Sequence, residues 1–237
     1  MAKANTTWKV LPHGPLEALA DNCWRVEGSL ENMPLKRVMT IARRTDGGLV
    51  IHNGIAVDEA TTKAIEALGT PTFLVVPNAY HRLDAPAFKA RWPALRVIAP
   101  RGGRKKVEEV VPVDHDYDDA PTDPAVRFEH LAGVGEAEGA MIVTSSDGVT
   151  LVLNDYLFNM PHVPGVQGFV LKHVTQSTGG PRLSRIVRLF LIKDKKAVRA
   201  ELERLAAIPD LRRVVVSHHV TIDDRPGDVL REVATTL

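Results

Sequence analysis

Thr70-Pro-Thr-Phe-Leu-Val-Val-Pro-Asn-Ala-Tyr-His-Arg-Leu-Asp-Ala-Pro86 is the stretch whose reading decides the fold. Phe73 to Val76 is a short apolar run that fits a buried strand. Pro77 and Asn78 stop it, because proline has no amide hydrogen for a sheet ladder and asparagine tolerates turns. The polar residues Asn78, Tyr80, His81, Arg82 and Asp84 are thereby placed at the mouth of a strand. There, α/β proteins commonly build their sites.

On the N-terminal side, Asn22 to Glu27 reads as an early strand. Leu35 to Arg43 alternates, with Val38, Thr40 and Ala42 on one face and Arg37, Met39 and Ile41 on the other. Asp46-Gly47-Gly48 turns the chain into a strand running to Asn53, since glycine reaches the positive φ that a tight turn needs. Asp58 is the expected N-cap of a helix over Glu59 to Leu68, with Ala60, Ala64, Ile65 and Leu68 on one face and Gly69 ending it. On the C-terminal side, Asp84 is the expected cap of a helix to Trp92, and Leu95 to Ala99 is another buried strand. Arg101 to Lys106 is a compact basic cluster and reads as a solvated turn. With the acidic, proline-punctuated Asp114 to Asp123 it reads as an exposed crossover between two halves.

The second half repeats the order. Ala125 to Leu131, Ala140 to Ser145 and Val149 to Asn154 read as strands, with a turn at Ser146-Asp147-Gly148. Gly165 to His173 and Arg182 to Ile192 are ambiguous, although Leu183, Ile186, Val187 and Phe190 fit a helical face. Asp194 caps an amphipathic helix, Lys195 to Ala207, with Val198, Leu202 and Leu205 inward and Arg199 and Glu203 as an i,i+4 pair. Leu211 to Val216 is a strand, and Pro226 opens a terminal helix. Two sheets face to face with helices outside would bury this order. One domain over residues 8–237 is expected, its halves meeting near residue 124.

Composition narrows the partners. Thirty Lys and Arg against 29 Asp and Glu give no bulk electrostatic reason to expect nucleic acid or an anionic membrane. No apolar run approaches a membrane span, and Met1 to Val10 lacks an apolar leader core. The single cysteine, Cys23, forms no intrachain disulfide and reads as a packed thiol, which points to a reducing compartment, the cytoplasm. A small-molecule ligand remains compatible with all of this.

The element order resembles the metallo-β-lactamase superfamily, whose fold is a four-layer αββα sandwich of two similar halves. The resemblance covers the chain from about Asn22 onward, in pattern more than in motifs. Within it, Pro77-Asn78-Ala79-Tyr80-His81 is similar to the Pro-Asn-x-x-His segment of the DUF4336-type branch. Active members usually carry Asp-x-Gly after an early strand, and Ile51-His52-Asn53-Gly54 puts His52 where that aspartate would stand. They carry His-x-His-x-Asp-His after the next buried strand, and Asn78 to Asp84 lacks most of those ligands. A further histidine is expected in a Gly-His-Thr turn, where this chain has Val134. Two positions match. Asp155 stands where the resemblance places a metal-bridging aspartate, and His218 where it places the terminal ligand histidine.

A zinc ion in an enzyme needs about three protein ligands and an open position. A pair needs roughly twice that, and one bridging carboxylate cannot hold two ions unaided. No dinuclear zinc centre is therefore expected. One divalent metal would fit Asp155 and His218 with His81, His162 or His219. His81, Asp155 and His218 are the candidate catalytic residues, and His52, Asn78 and His162 the candidate ligand-binding ones.

Each has a plainer alternative. His81 could hydrogen-bond a loop carbonyl, Asp155 could form a turn, and His162 could be an ordinary loop residue. Adjacent residues on a strand point to opposite faces, so at most one of His218 and His219 faces a site. Two functions stay open: a degenerate or mononuclear hydrolase of ester-like or phosphoester bonds, and a non-catalytic ligand-binding or structural module that inherited the fold.

Overall fold

The computed structural model describes residues 4–237, so the start of the Met1 to Val10 segment lies outside the described residues. The first sheet holds β1 (Glu17–Ala20), β2 (Cys23–Leu30), β3 (Met33–Arg43), β4 (Gly48–His52), β5 (Thr70–Val75) and β6 (Arg96–Ile98) in sequence order. β1 to β4 pair antiparallel, while β4, β5 and β6 are parallel. Parallel neighbours need crossovers, and helices α1 (Glu59–Leu68) and α2 (Ala85–Arg91) supply them.

Helix α3 (Arg101–Val107) leads towards the second half, which begins with β7 (Val126–His130), β8 (Gly139–Ser145) and β9 (Gly148–Val152). The chain continues through β10 (Phe158–Met160), α4 (Gly165–Phe169), β11 (Gly180–Arg182), α5 (Lys195–Ala206), β12 (Leu211–Val215) and α6 (Pro226–Ala234). The second sheet has the order β12-β9-β8-β7, with β12 parallel to β9. β10 and β11 form a separate two-stranded ribbon.

The period-two alternation of β3 sorts the core. Val38 and Ala42 join Val50, Phe73, Val75, Met141, Val152 and Val215 between the sheets. Met39 and Ile41 face the other way, onto Ile65 of α1 and Phe88 of α2. On the far side Ile142, Leu151 and Val214 pack against Val198, Leu202 and Leu205 of α5 and Leu230 of α6. The layers are helix, sheet, sheet, helix. No helix among the described residues is long and apolar enough to cross a membrane.

Several local expectations are corrected. Glu17–Ala20 adds an edge strand that composition did not signal. Arg101 to Lys106 is largely exposed, as expected, but helical instead of a turn, and Gly102 lets the helix start press on another loop. A Cβ there would sit 2.6 Å from the Gly135 carbonyl oxygen. In α1 the buried residues are Thr62 and Ile65, with Ala60 and Ala64 exposed.

Asp84 precedes α2 but makes no side-chain cap; its carboxylate accepts from Arg37 and Asn5. In α5, Arg204 carries the ion pairs, to Glu201 and Glu129, in place of Arg199. Leu183 and Val187 are buried while Ile186 and Phe190 are exposed. Val187–Leu191 is a π-helical turn, whose wider step breaks the expected α-helical face.

Candidate functional site

The carboxyl ends of β4, β5, β9 and β12 deliver Asn53, Asn78, Asp155 and His218 to one edge of the sandwich. Two parallel pairs, one in each sheet, make this convergence. Asn53 takes a left-handed φ of 56°, which asparagine tolerates. Its Nδ2 donates to the Val38 carbonyl at 2.9 Å, so its Oδ1 is left to accept from His81 Nδ1 at 2.9 Å. Asn78 Oδ1 accepts from the Tyr80 and His81 amides, folding the loop after β5 back towards the sheet end. Its Nδ2 donates to Glu138 at 2.7 Å and to Asp155 Oδ2 at 2.9 Å.

The two histidines converge on one oxygen. His81 Nε2 lies 3.2 Å and His218 Nε2 3.1 Å from Asp155 Oδ1. His218 Nδ1 donates to the Lys36 carbonyl at 2.7 Å, and Phe158 stacks on the ring. Both Nδ1 atoms are therefore committed as donors, because each faces an oxygen that only accepts. In a neutral imidazole the opposite Nε2 then carries a lone pair, and both lone pairs point at a carboxylate. That arrangement calls for a cation or extra protons between them. The three ligand atoms lie within 4.8 Å of one another, the only such buried or half-buried histidine pair with a carboxylate among the described residues.

Burial pushes the His81 imidazole down, and Asp155 offsets this only in part, which favours neutral His81. Burial works to raise the Asp155 carboxyl, but its close contacts with His81 and His218 outweigh it and hold it well below the usual range. Burial and the Asp155 charge raise the Glu138 carboxyl. Of the two carboxyls that share Asn78, Asp155 thus holds the negative charge.

Asn78, His81, Asp155 and His218 meet. His162 does not join them; its Nδ1 bonds the Thr178 hydroxyl beside the β10–β11 ribbon. His219 takes a left-handed φ of 65°, and its Nε2 accepts from the Lys36 amide. His52 shares the inter-sheet face with Val50 and is fully buried, with neither ring nitrogen partnered. Sequence reasoning missed Asn53, which anchors His81, and Glu138, which precedes β8. Nothing local marks Glu138, whose partners are Asn78, Asn154 and the Tyr156 amide.

The state of His52 is testable. Burial, then the nearby His81, push it down from 6.5 to about 3. The unfolded imidazole takes a proton below its ordinary value and the folded one resists, so stability falls as pH drops through that window. Between about pH 7 and pH 5 this group alone costs about 2 kcal/mol. Urea midpoints of the wild type and His52→Leu at both pH values isolate the effect, with the variant losing less. Equal losses would show that His52 is hydrogen-bonded or charged in the folded state.

No protein-family model matches the chain, and no curated protein matches it. Solved structures do. The metallo-β-lactamase FIM-1 from Pseudomonas aeruginosa, in a mono-zinc form, superposes with a TM-score of 0.62 at 12% identity, covering 96% of this chain and 97% of that one. A metallo-β-lactamase from Erythrobacter litoralis gives 0.60 at 13% identity, covering 94% and 96%. DIM-1 metallo-β-lactamase exposed to ceftazidime gives 0.63 at 12% identity, covering 96% and 99%. The fold is that of the metallo-β-lactamases. At these identities the likeness extends to the fold alone.

Proposed function

We propose that the chain is a hydrolase built on the metallo-β-lactamase fold, with a reduced centre that holds one divalent ion between His81, Asp155 and His218. The observation that carries this reading is the convergence of two Nε2 atoms on Asp155 Oδ1, with both Nδ1 atoms anchored. Two imidazoles and a carboxylate leave an open position, the pattern of a catalytic rather than a structural site. An ion bound there would act as a Lewis acid and make water a nucleophile at neutral pH.

The chain's own groups do the rest. Asn53 and the Lys36 carbonyl orient the imidazoles, and Asn78 holds the second oxygen of Asp155. Phe158 covers one face of His218. Glu138, its carboxyl raised by burial and by the Asp155 charge, accepts from Asn78, Asn154 and the Tyr156 amide and so fixes the Asn78 side chain.

Val134 and the ligand-poor Asn78 to Asp84 segment support a centre depleted to one ion, and Pro77 to His81 supports the DUF4336-type branch. The same reading takes residues 8–237 as one domain, and the buried, unpaired Cys23 supports a cytoplasmic setting. The near-zero net charge supports a small-molecule substrate over nucleic acid.

A panel of ester, thioester, lactam and phosphodiester substrates tests this. Turnover is expected with at least one class and should fall roughly 10²–10⁴-fold in Asp155→Ala and in His218→Ala. Ligand binding with no turnover of any class would leave the non-catalytic module. Turnover unchanged in both variants would place the chemistry elsewhere.

A further inference from the structure

The His81–Asp155–His218 cluster opens at one end of a cavity of about 840 Å³, within the range of roughly 300–1,000 Å³ typical of small-molecule sites. Its carboxyl and imidazole groups come from the loops at that edge, with the hydroxyls of Thr175, Ser177 and Ser184 set among the apolar side chains elsewhere. The remaining wall is predominantly apolar and comes from two unconnected places: Met33 and Leu35 on β3, and Leu171, Ile186, Val187 and Phe190 on the helical segments after β10 and β11. Met33, Ile186 and Phe190 are each more than half exposed although they line the cavity. Both helical segments contain a π-helical turn, Val170–Val174 and Val187–Leu191, a distortion that recurs at functional sites.

Charge adds a second constraint. The two arginines lining the cavity are already engaged, Arg37 with Asp84 and Arg82 with Glu109. With no ion between the three ligands, an anionic head group would meet the Asp155 carboxylate, with both of those cations engaged by other partners. A neutral carbonyl meets no such penalty.

We infer that the cavity takes an uncharged acyl ester with a long apolar chain. Its carbonyl lies at the His81–Asp155–His218 end, and its chain runs along Leu35, Leu171, Ile186 and Phe190. The ester chemistry rests on the hydrolase reading; the apolar chain does not, and the preference for a neutral head is that of the metal-free chain. The reaction is a hydrolysis that needs no redox partner. Water adds its oxygen to the acyl carbon, the acyl C–O bond breaks, and the alkoxide takes a proton from that water.

Binding is read separately from turnover. N-alkyl acetamides, uncharged and slow to hydrolyse, are titrated calorimetrically against the purified, chelator-treated full chain at increasing chain length, below their aggregation limits, beside alkyl phosphates of equal length. Affinity is expected to rise about two- to fourfold per added methylene, and the phosphate of each length to bind more weakly. An Ile186→Asp/Phe190→Asp double variant, changed only at exposed positions, should lose at least about tenfold for the longest amide and little for the shortest.

Affinity independent of chain length, or tighter binding of the phosphates, overturns the inference. So does a wild-type dimer that the double variant dissociates while neither binds amide, since a second copy would then cover the apolar rim. Chain-length-dependent binding without turnover of any ester keeps the cavity assignment and rejects the hydrolase. Turnover of short esters with no chain-length dependence does the reverse.

Discussion

Purified without chelator, the wild-type chain is expected to hold about one equivalent of divalent metal, and Asp155→Ala about a tenth of that or less. The number follows from the donors. His81 Nε2, His218 Nε2 and Asp155 Oδ1 form one ligand set within 4.8 Å. A second ion would need about three further ligands. His52 is sealed between the sheets, His162 is held by Thr178, and the Nε2 of His219 is used by Lys36.

Asp155 is the member both imidazoles share, so its loss removes the only charge in the set. Asn53→Ala and Asn78→Ala test the supporting layer and should each weaken binding roughly 10–100-fold. Elemental analysis of the four proteins reads all of this directly. Two equivalents in the wild type would refute the depleted centre, and full occupancy in Asp155→Ala would move the metal elsewhere.

The largest stability effect is expected at Asp84. Arg37 on β3 and Asp84 at the start of α2 are both buried, with side-chain exposures of 6% and 2%, and they form a direct ion pair. Arg37 Nε has no other partner. Removing the carboxylate by Asp84→Ala strands a buried guanidinium, and breaking such pairs costs about 3–5 kcal/mol. Replacing both partners with apolar residues, as Arg37→Met/Asp84→Leu, should recover most of that loss, because the desolvation cost goes with the charges. Urea unfolding of the three chains decides it. A single variant within about 1 kcal/mol of the wild type would show that water reaches Arg37 and that the pair is of the weak surface kind.

The Arg37–Asp84 pair also shows where reading by sequence stops. Asp84 before Ala85-Pro86 has every local mark of an N-cap, and the helix does begin there. The side chain is drawn instead to an arginine 47 residues away. The same holds for Glu138, an unmarked acid until Asn78 arrives from 60 residues upstream. The π-helical turn at Val187–Leu191 is a third case. The apolar spacing implied a helix, and the wider register turned Ile186 and Phe190 outward.

By itself the sequence determined what depends on near neighbours. The alternation of Val38, Thr40 and Ala42 against Met39 and Ile41 divided β3 between two cores. Asp58 and Asp194 capped their helices through the amides of Thr61 and of Lys196 and Ala197. Pro77-Asn78 ended the strand at which the polar loop begins. Periodicity, caps and turns act within a few residues, so a linear reading reaches them.

Tertiary structure alone decided which polar groups meet. His81 and His218 reach Asp155 from 74 and 63 residues away, from loops that follow strands of different sheets. It also decided that His162 stays apart, that His52 is sealed without partners, and that the apolar walls of one cavity come from β3 and from the segments after β10 and β11. The physical reason is the same in each case. Packing two sheets face to face sets distances between strand ends that no local rule encodes, and a site at those ends exists only once the layers close.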